Sequence, residues 1–488
     1  MKKKSIGINA ILNLVKSALS IMFPLITYPY ALRVLGADGI GKVSYTNSII
    51  SYFSLIAMLG VSTYAIREGA KIRERKSDFS KFVNEVFSIN IITTIIAYIL
   101  LIFVILFFDN LKPYIGLILL QSLSILFTTL GVDWINTIYE DYLKITIRSI
   151  ITYVISLICM FTFVKDENDF YWYAMLNVLT NGIICITNWL YIKKYVRLKF
   201  IWNNNLKKHL KPLLILFSNA VAISIYVNFD TTMLGWIKGD YYVGLYTVSV
   251  KIYSIIKNLM VAIYSVAIPR LSLHIGNKEE ENYKKLFSDL CGYLLILLIP
   301  CTIGLISISE EIMIFMGGEE FIIAKTSLQI LAGSLIFAVL GGLVTSVLNI
   351  TLGREKENLK ATIYGACINC GLNFVFIPIL NENGAALTTL ISEAFVFIYC
   401  FVKLPNKGKY INIKLMIETI LQAIVASTAI FIITYIAKLY IFNIITRVFV
   451  IVIMSVLIYF IILYIFKNKY LLSGFDFIKN KIKGEKNE

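Results

Sequence analysis

The sequence predicts an all-α integral membrane protein with fourteen transmembrane helices. Three observations carry the prediction. Of 488 residues, 58% are hydrophobic and only 16% charged, against about 45–50% and about 25% in a soluble domain. The apolar residues run together in stretches of about 20, long enough at ~1.5 Å per residue to cross a ~30 Å hydrocarbon core. Backbone groups find no water there, so continuous apolar stretches must be helices, because barrel strands would alternate over about ten residues. Finally, with the N-terminus placed in the cytoplasm, the connections on that side hold 35 Lys and Arg, and those on the opposite side hold 8. That asymmetry is how polytopic proteins are oriented. The same pattern argues against nucleic-acid binding as the meaning of the net charge of +16, because the cations sit in short clusters between apolar runs.

Taken in order, the apolar stretches lie near 8–32, 42–62, 83–108, 113–136, 145–164, 170–192, 212–236, 241–268, 287–308, 322–349, 361–381, 384–402, 415–437 and 441–466. The first follows Met1-Lys2-Lys3-Lys4, which imitates a signal-peptide start. It is too long for one, carries Lys16 and lacks a small-x-small cleavage site, so it reads as an uncleaved span. Basic connections then follow every second span: Arg67 to Lys81, Lys144 with Arg148, Lys193 to Lys211, Arg270 to Lys285, Arg354 to Lys360, Lys403 to Lys414, and the tail from Lys467. One missing or extra helix early in the chain would destroy this alternation. It places both termini in the cytoplasm of a multi-pass protein. Lysine outnumbers arginine 37 to 9, a bias that points to a low-GC bacterial genome.

Gly41 and Arg67 flank one span, and Gly244 and Arg270 flank another at the same internal spacing, offset by 203 residues. Six helices per repeat is an even number, so the two halves are expected to be parallel bundles. The expected division is 1–200 for the first six-helix bundle, 201–408 for the second, and 409–488 for two appended helices and a basic tail.

No connection is long enough to hold an active site, so function must lie in the spans, where ionisable residues are costly and mark pathways. Span 1 carries Asn9, Asn13, Lys16, Ser20 and Thr27 on one face, and span 2 carries Ser44, Asn47, Ser51 and Ser54. Span 8 carries Lys251, Ser254, Asn258 and Ser265, with Lys257 about 120° away from Lys251. Span 7 places Asn219, Tyr226 and Asp230 on one face, and span 12 holds Glu393 beside Ser392 and Thr389. The plain alternative for the Ser and Asn residues is helix–helix hydrogen bonding, and for Lys251 and Asp230 an internal ion pair. The functional reading is a hydrated cavity for an anionic group. Lys16, Lys251, Lys257, Asn13, Asn47 and Asn258 would bind substrate, and Asp230 and Glu393 would couple an ion. The seven cysteines lie in apolar stretches, and Cys367-Ile-Asn-Cys370 reads as small buried residues rather than a metal or redox pair. His209 and His274, both assigned to loops, offer no metal site. No cofactor is expected.

Five segments stand out in order: Arg33-Val-Leu-Gly36-Ala-Asp-Gly39-Ile-Gly41, Arg67-Glu68-Gly-Ala-Lys71-Ile-Arg73, Gly131-Val-Asp133-Trp134 with Glu140-Asp141-Tyr142, Asp230-Thr-Thr-Met-Leu234-Gly235 through Tyr246, and Pro269-Arg270-Leu-Ser272. Together they resemble the polysaccharide and oligosaccharide-lipid flippases of the multidrug/oligosaccharidyl-lipid/polysaccharide exporter superfamily. The resemblance implies two six-helix bundles in a V, alternating between inward and outward openings. It also implies an undecaprenyl-diphosphate substrate carrying a sugar repeat unit for capsule or surface polysaccharide, and a polysaccharide polymerase as partner. Asp133, Trp134, Arg67 and Arg270 would then line the cytoplasmic mouth. For Asp133 and Trp134 the plain alternative is an interfacial tryptophan beside a helix-end acid. The family's aromatic-aromatic-Gln-Gly after the tryptophan is replaced by Ile135-Asn136-Thr137-Ile138, so no role of that glutamine or glycine transfers.

A sugar diphosphate cannot shed its water to enter hydrocarbon, so a protein must line a polar path while the polyprenyl tail stays in lipid. No bond is made, and the chain is expected not to be an enzyme. No GxxxxGK[ST] is present, which favours H⁺, Na⁺ or membrane potential over ATP as the drive. Two relatives in the same superfamily remain as alternatives. A multidrug antiporter would want an acidic cavity, and a lipid-linked peptidoglycan precursor flippase would want intramembrane arginines. A membrane glycosyltransferase would need a large catalytic loop that the chain lacks.

Overall fold

A computed structural model describes residues 6–474, with the side chains of 6–18, 20, 21, 219 and 409 outside the description. Among the described residues there are helices and no strands. Thirteen helical stretches are long and apolar enough to cross a membrane. The first, Met22–Ile72, has 51 residues, about 75 Å of helix and more than twice a ~30 Å core. The helical run Ile6–Met58 within which it begins breaks at Gly36, where φ 64 and ψ −178 are open only to glycine. The break yields α1 (6–35) and α2 (37–58). The others are α3 (Lys76–Phe107), α4 (Ile115–Gly131), α5 (Tyr142–Phe163), α6 (Phe170–Ile192), α7 (Leu206–Lys238) and α8 (Asp240–Ser265). They continue with α9 (Glu280–Ser307), α10 (Lys325–Gly342), α11 (Glu355–Leu380), α12 (Glu382–Lys403), α13 (Ile413–Tyr440) and α14 (Ile444–Ile465). Each apolar stretch of the sequence falls on one of these. Helices α3 and α7 begin six or seven residues earlier than apolarity suggests, because hydrogen bonding carries a helix past the lipid boundary. Connections after α2, α4 and α6 fall on the side of residue 6, here the near side; those after α1, α3, α5 and α7 fall on the far side.

The chain divides into two compact units, Met1–Thr247 and Val248–Glu488. In the first, α1–α2 lie at the centre and pack on α3 to α7. Lipid tails are as apolar as leucine, so packing and polar contacts between helices, rather than burial from water, hold such a bundle. The end of α2 shows how. Leu59 (φ 43) and Gly60 (φ 74) turn the chain out of the helix, which removes ordinary helical partners from the last carbonyls. The Ala57 carbonyl instead accepts from Asn90 Nδ2 at 2.7 Å and Thr93 Oγ1 at 2.6 Å on α3. The near-side core gathers Tyr64 and Ala65 of the short helix Val61–Ile72, Phe79, Phe82 and Val86 of α3, Trp134, Ile135 and Ile138, and Leu213 of α7.

In the second unit α12 packs between α10 and α11, and α9 packs on α13, which pairs with α14. The α10 helix continues through a π-helical turn, Leu343–Asn349. The appended hairpin is clamped by charge. Glu311, on the short helix Ser309–Gly317, is 3% exposed, 2.9 Å from Lys438 Nζ and 3.7 Å from Arg447 Nη1.

Two expectations need correction. His209 is not in a loop: it lies in the first turn of α7 and is 3% exposed. His274 likewise sits in the helix Ile268–Gly276. None of the seven cysteines is in a disulfide, and Cys367 is exposed rather than buried, because α11 turns that face away from its neighbours.

Candidate functional site

The turns that join α1 to α2 and α7 to α8 are built alike. Gly239 (φ 87, ψ −177) breaks the chain before α8 as Gly36 breaks it before α2, and the two glycines are related by the 203-residue offset seen in the sequence. The two turns also meet. A Cβ on Gly41 would lie 1.8 Å from the Asp240 carbonyl oxygen, and a Cβ on Gly244 would lie 1.9 Å from that of Ala37. Shifted by 203, each contact becomes the other, so the far-side turns touch reciprocally, backbone on backbone, about a local pseudo-two-fold axis. Around them Tyr114 Oη donates to Asp240 Oδ2 at 2.7 Å, the Tyr45 ring covers Gly235, and Ser48 Oγ and Thr232 Oγ1 share a hydrogen bond at 2.8 Å. The sequence offered the glycine spacing but not its meaning: these glycines are required by close approach, not only by a tight connection.

Asp230 is 4% exposed and accepts from Tyr246 Oη at 2.9 Å across the α7–α8 hairpin. In the second unit the structure brings two of the expected residues together. Lys257 Nζ lies 2.7 Å from Glu393 Oε1, and Tyr253 Oη donates to the same oxygen at 3.2 Å. Lys257 and Glu393 therefore form one ion pair between α8 and α12, where the sequence suggested separate duties. Lys251 is half-buried on α8, and Asn47 and Asn258 are exposed. The side chains of Asn13 and Lys16 lie outside the described residues.

On the near side, Asp133 is tied down. Its Oδ1 accepts from Arg148 Nη2 at 2.7 Å and Asn188 Nδ2 at 2.9 Å, while Asn136 Nδ2 donates to Asn188 Oδ1 at 2.6 Å and Arg148 also donates to that oxygen. Trp134 is 4% exposed and belongs to the core. Neither the mouth lining nor the interfacial alternative describes it, because the break at Val132 (φ 40) turns it inward. Arg67 is exposed beside Glu68 at 2.9 Å, and Arg270 is exposed. Asn136, which stands within the departure from the family motif, has become part of the network that joins α4 to α6.

A second near-side cluster went unread in the sequence. His209 Nδ1 is 2.7 Å from Tyr64 Oη, and its Nε2 is 2.9 Å from Glu85 Oε2. Lys208 Nζ reaches the same carboxylate oxygen at 3.0 Å. Glu85 is 1% exposed, and its Oε1 has no hydrogen-bond partner among the described residues. The signal was an acid just inside the third apolar stretch, where an unpaired charge would be costly. Asp141, just before α5, accepts from Tyr191 of α6 at 2.9 Å and from Tyr195 beyond the end of α6. Burial first, then the neighbouring Tyr191 hydroxyl, holds the Tyr195 phenol well above its ordinary range, so it remains a donor.

Comparison with known proteins agrees with this architecture. Residues 6–273, more than half of the chain, match the family described as polysaccharide biosynthesis protein. The chain belongs to that family. Within it, a putative O-antigen transporter of Shigella dysenteriae is 21% identical over 385 residues, 78% of this chain and 94% of the relative. The capsular polysaccharide biosynthesis protein CapF of Staphylococcus aureus is 24% identical over 389 residues, 75% and 91% of the two chains. Among solved structures, the lipid II flippase MurJ in an inward closed conformation superposes with a TM-score of 0.74 at 17% identity, covering 95% of this chain and 99% of MurJ. An inward-facing multidrug resistance transporter of the MATE family gives 0.60 at 12% identity, covering 80% and 96%. This member of the polysaccharide biosynthesis family is thus a multi-pass helical membrane protein with the exporter-superfamily fold, related to transporters rather than to enzymes.

Proposed function

We propose that the protein moves an oligosaccharide unit on undecaprenyl diphosphate from the inner to the outer leaflet of a bacterial cytoplasmic membrane, with both termini in the cytoplasm. The drive would be an ion gradient or the membrane potential, and the far side is the outer side. The observation that carries this reading is a set of charged side chains inside membrane-crossing helices: Lys257 against Glu393, and Asp230 held by Tyr246. Intramembrane charge of this kind marks a substrate or ion path. In this reading Lys16, Lys251 and Lys257, with Asn13, Asn47 and Asn258, are the residues that meet the diphosphate. Asp230 and Glu393 carry the coupling ion, and Arg67 and Arg270 meet substrate at the mouth. The Lys257–Glu393 pair supplies an exchange: an arriving diphosphate takes over the ammonium, and the freed carboxylate takes a proton or sodium ion.

Vesicles loaded with a fluorescent polyprenyl-diphosphate oligosaccharide test the reading. Lys251→Ala or Lys16→Ala should lower the initial rate at least tenfold at normal membrane levels, and Lys→Arg should do less harm because charge is retained. Asp230→Asn should bind substrate yet fail to accumulate it against a gradient. Wild-type rates in both lysine variants would sink the diphosphate site. Transport of lipid II or of a cationic dye instead would favour the two superfamily alternatives. Orientation is checked separately. Cysteines at Lys76 and Lys208 should be shielded from an impermeant reagent in intact cells, and cysteines at Lys238 and Glu319 should react.

A further inference from the structure

A groove of about 780 Å³ runs along the end of α6. Its wall is apolar, formed by Leu130, Ile186, Trp189 and Leu190, and its near-side end carries Lys193 and Arg197. Ile186 is 62% exposed and Leu190 67% on a membrane-crossing helix, so the groove opens sideways into hydrocarbon. Lys193 and Arg197 begin within a turn of the last residue of α6, Ile192, which puts them at headgroup depth. Trp189, 37% exposed in the same wall, suits that boundary. Among the described residues neither Lys193 nor Arg197 has a carboxylate partner. The adjacent Lys194, by contrast, lies 3.4 Å from Asp141 and over the rings of Tyr191 and Tyr195.

We propose that this groove is a binding site for an anionic diacyl phospholipid of the phosphatidylglycerol type. An acyl chain lies along Ile186 and Leu190, and the phosphodiester is held between Lys193 and Arg197. Basic pockets at the cytoplasmic ends of membrane helices bind anionic headgroups in this way, and a guanidinium matches phosphate geometry. The volume is that of a site for one modest-sized molecule. Beyond the two cations the hydrogen-bonding groups of the lining are the Trp189 indole N–H and the weakly donating Cys185 thiol, so it recognises a phosphate and a tail and gives a sugar chain little to bind. The site lies apart from Lys251, Lys257 and Asp230 in sequence and does not depend on the transport reading. It has a consequence for the linker it touches. Residues 193–205 feed α7 and are fastened to α3 by Lys199 N to Asn84 Oδ1 at 2.9 Å and Ile201 N to Ser88 Oγ at 2.7 Å. A bound lipid adds a third fastening, so the charge of the surrounding membrane bears on the start of α7.

The full chain, reconstituted in phosphatidylcholine vesicles with a minor fraction of phosphatidylglycerol brominated high in its acyl chains, tests this through Trp189. Brominated phosphatidylglycerol should quench tryptophan fluorescence more than brominated phosphatidylcholine does, and the excess should vanish in Trp189→Phe. In K193Q/R197Q the lipid concentration for half-maximal excess quenching should rise roughly 25-fold, at about fivefold per cation. The charge-matched K76Q/K81Q, also altered on the near side, should behave as wild type. Equal quenching by the two lipids, or an excess that survives in K193Q/R197Q, would overturn the assignment. So would displacement of the brominated lipid by an equimolar amount of polyprenyl diphosphate, which would give the groove to the substrate's own tail. Leu190→Phe, at a position 67% exposed, should crowd the groove without adding a second indole and lower the excess independently of charge.

Discussion

Gly244→Ala should abolish transport while the protein reaches the membrane at normal levels. The added Cβ would sit 1.9 Å from the Ala37 carbonyl oxygen and 2.9 Å from its Cα. Both obstacles are backbone, so no rotamer relieves the overlap and the two turns must separate. Overpacking of a core costs about 1–3 kcal/mol even where side chains can shift, so at least about 3 kcal/mol is expected here, a population change of roughly 100-fold. Gly41→Ala should behave the same way, because its Cβ would meet Asp240 at 1.8 Å. The double variant should be little worse than either single one, since both break one contact and energies of coupled neighbours do not add. A cysteine at Lys42, half-buried beside this contact, should label faster from the outer aqueous phase in each variant. Wild-type transport in Gly244→Ala would remove the contact from the transport cycle.

His209→Ala is the other large effect expected, and it bears on stability. The imidazole joins Tyr64 to Glu85 in a region where both His209 and Glu85 are almost wholly buried. Removing it leaves a carboxylate with one oxygen already unpartnered and only Lys208 on the other. Breaking a buried pair by deleting one partner costs about 3–5 kcal/mol. The variant should therefore unfold on heating in detergent well below wild type. Glu85→Leu with His209→Leu should recover much of the loss, because replacing both partners by apolar groups is often close to neutral. A double variant less stable than His209→Ala would show that the pair contributes more than mutual satisfaction.

The helices were legible because hydrocarbon leaves a chain so few choices: a run without water must satisfy its own backbone. The family motifs were legible for a related reason. Gly36, Gly41, Gly239 and Gly244 stand where backbone conformation or approach excludes other residues, and that leaves a trace in one dimension. Partners did not. Nothing near Glu85 in sequence points to His209, which arrives after three more helices. Lys257 and Glu393 were each noticed, but helical periodicity places a residue on a face and cannot say which helix that face meets. Trp134 was misplaced because a tryptophan after an acid at a helix end looks interfacial, until a left-handed residue at Val132 turns the ring into the core.

The clamp on the appended hairpin has a consequence for biosynthesis. Glu311 leaves the ribosome roughly 130 residues before Lys438, a delay on the order of 10 s at usual elongation speeds. For that interval its carboxylate has neither of the two cations that later neutralise it. A nascent chain halted after α12 would present a bare acid at a helix packing surface. Arrival of α13 and α14 supplies both cations, so the charge on Glu311 is balanced only once that hairpin has been made.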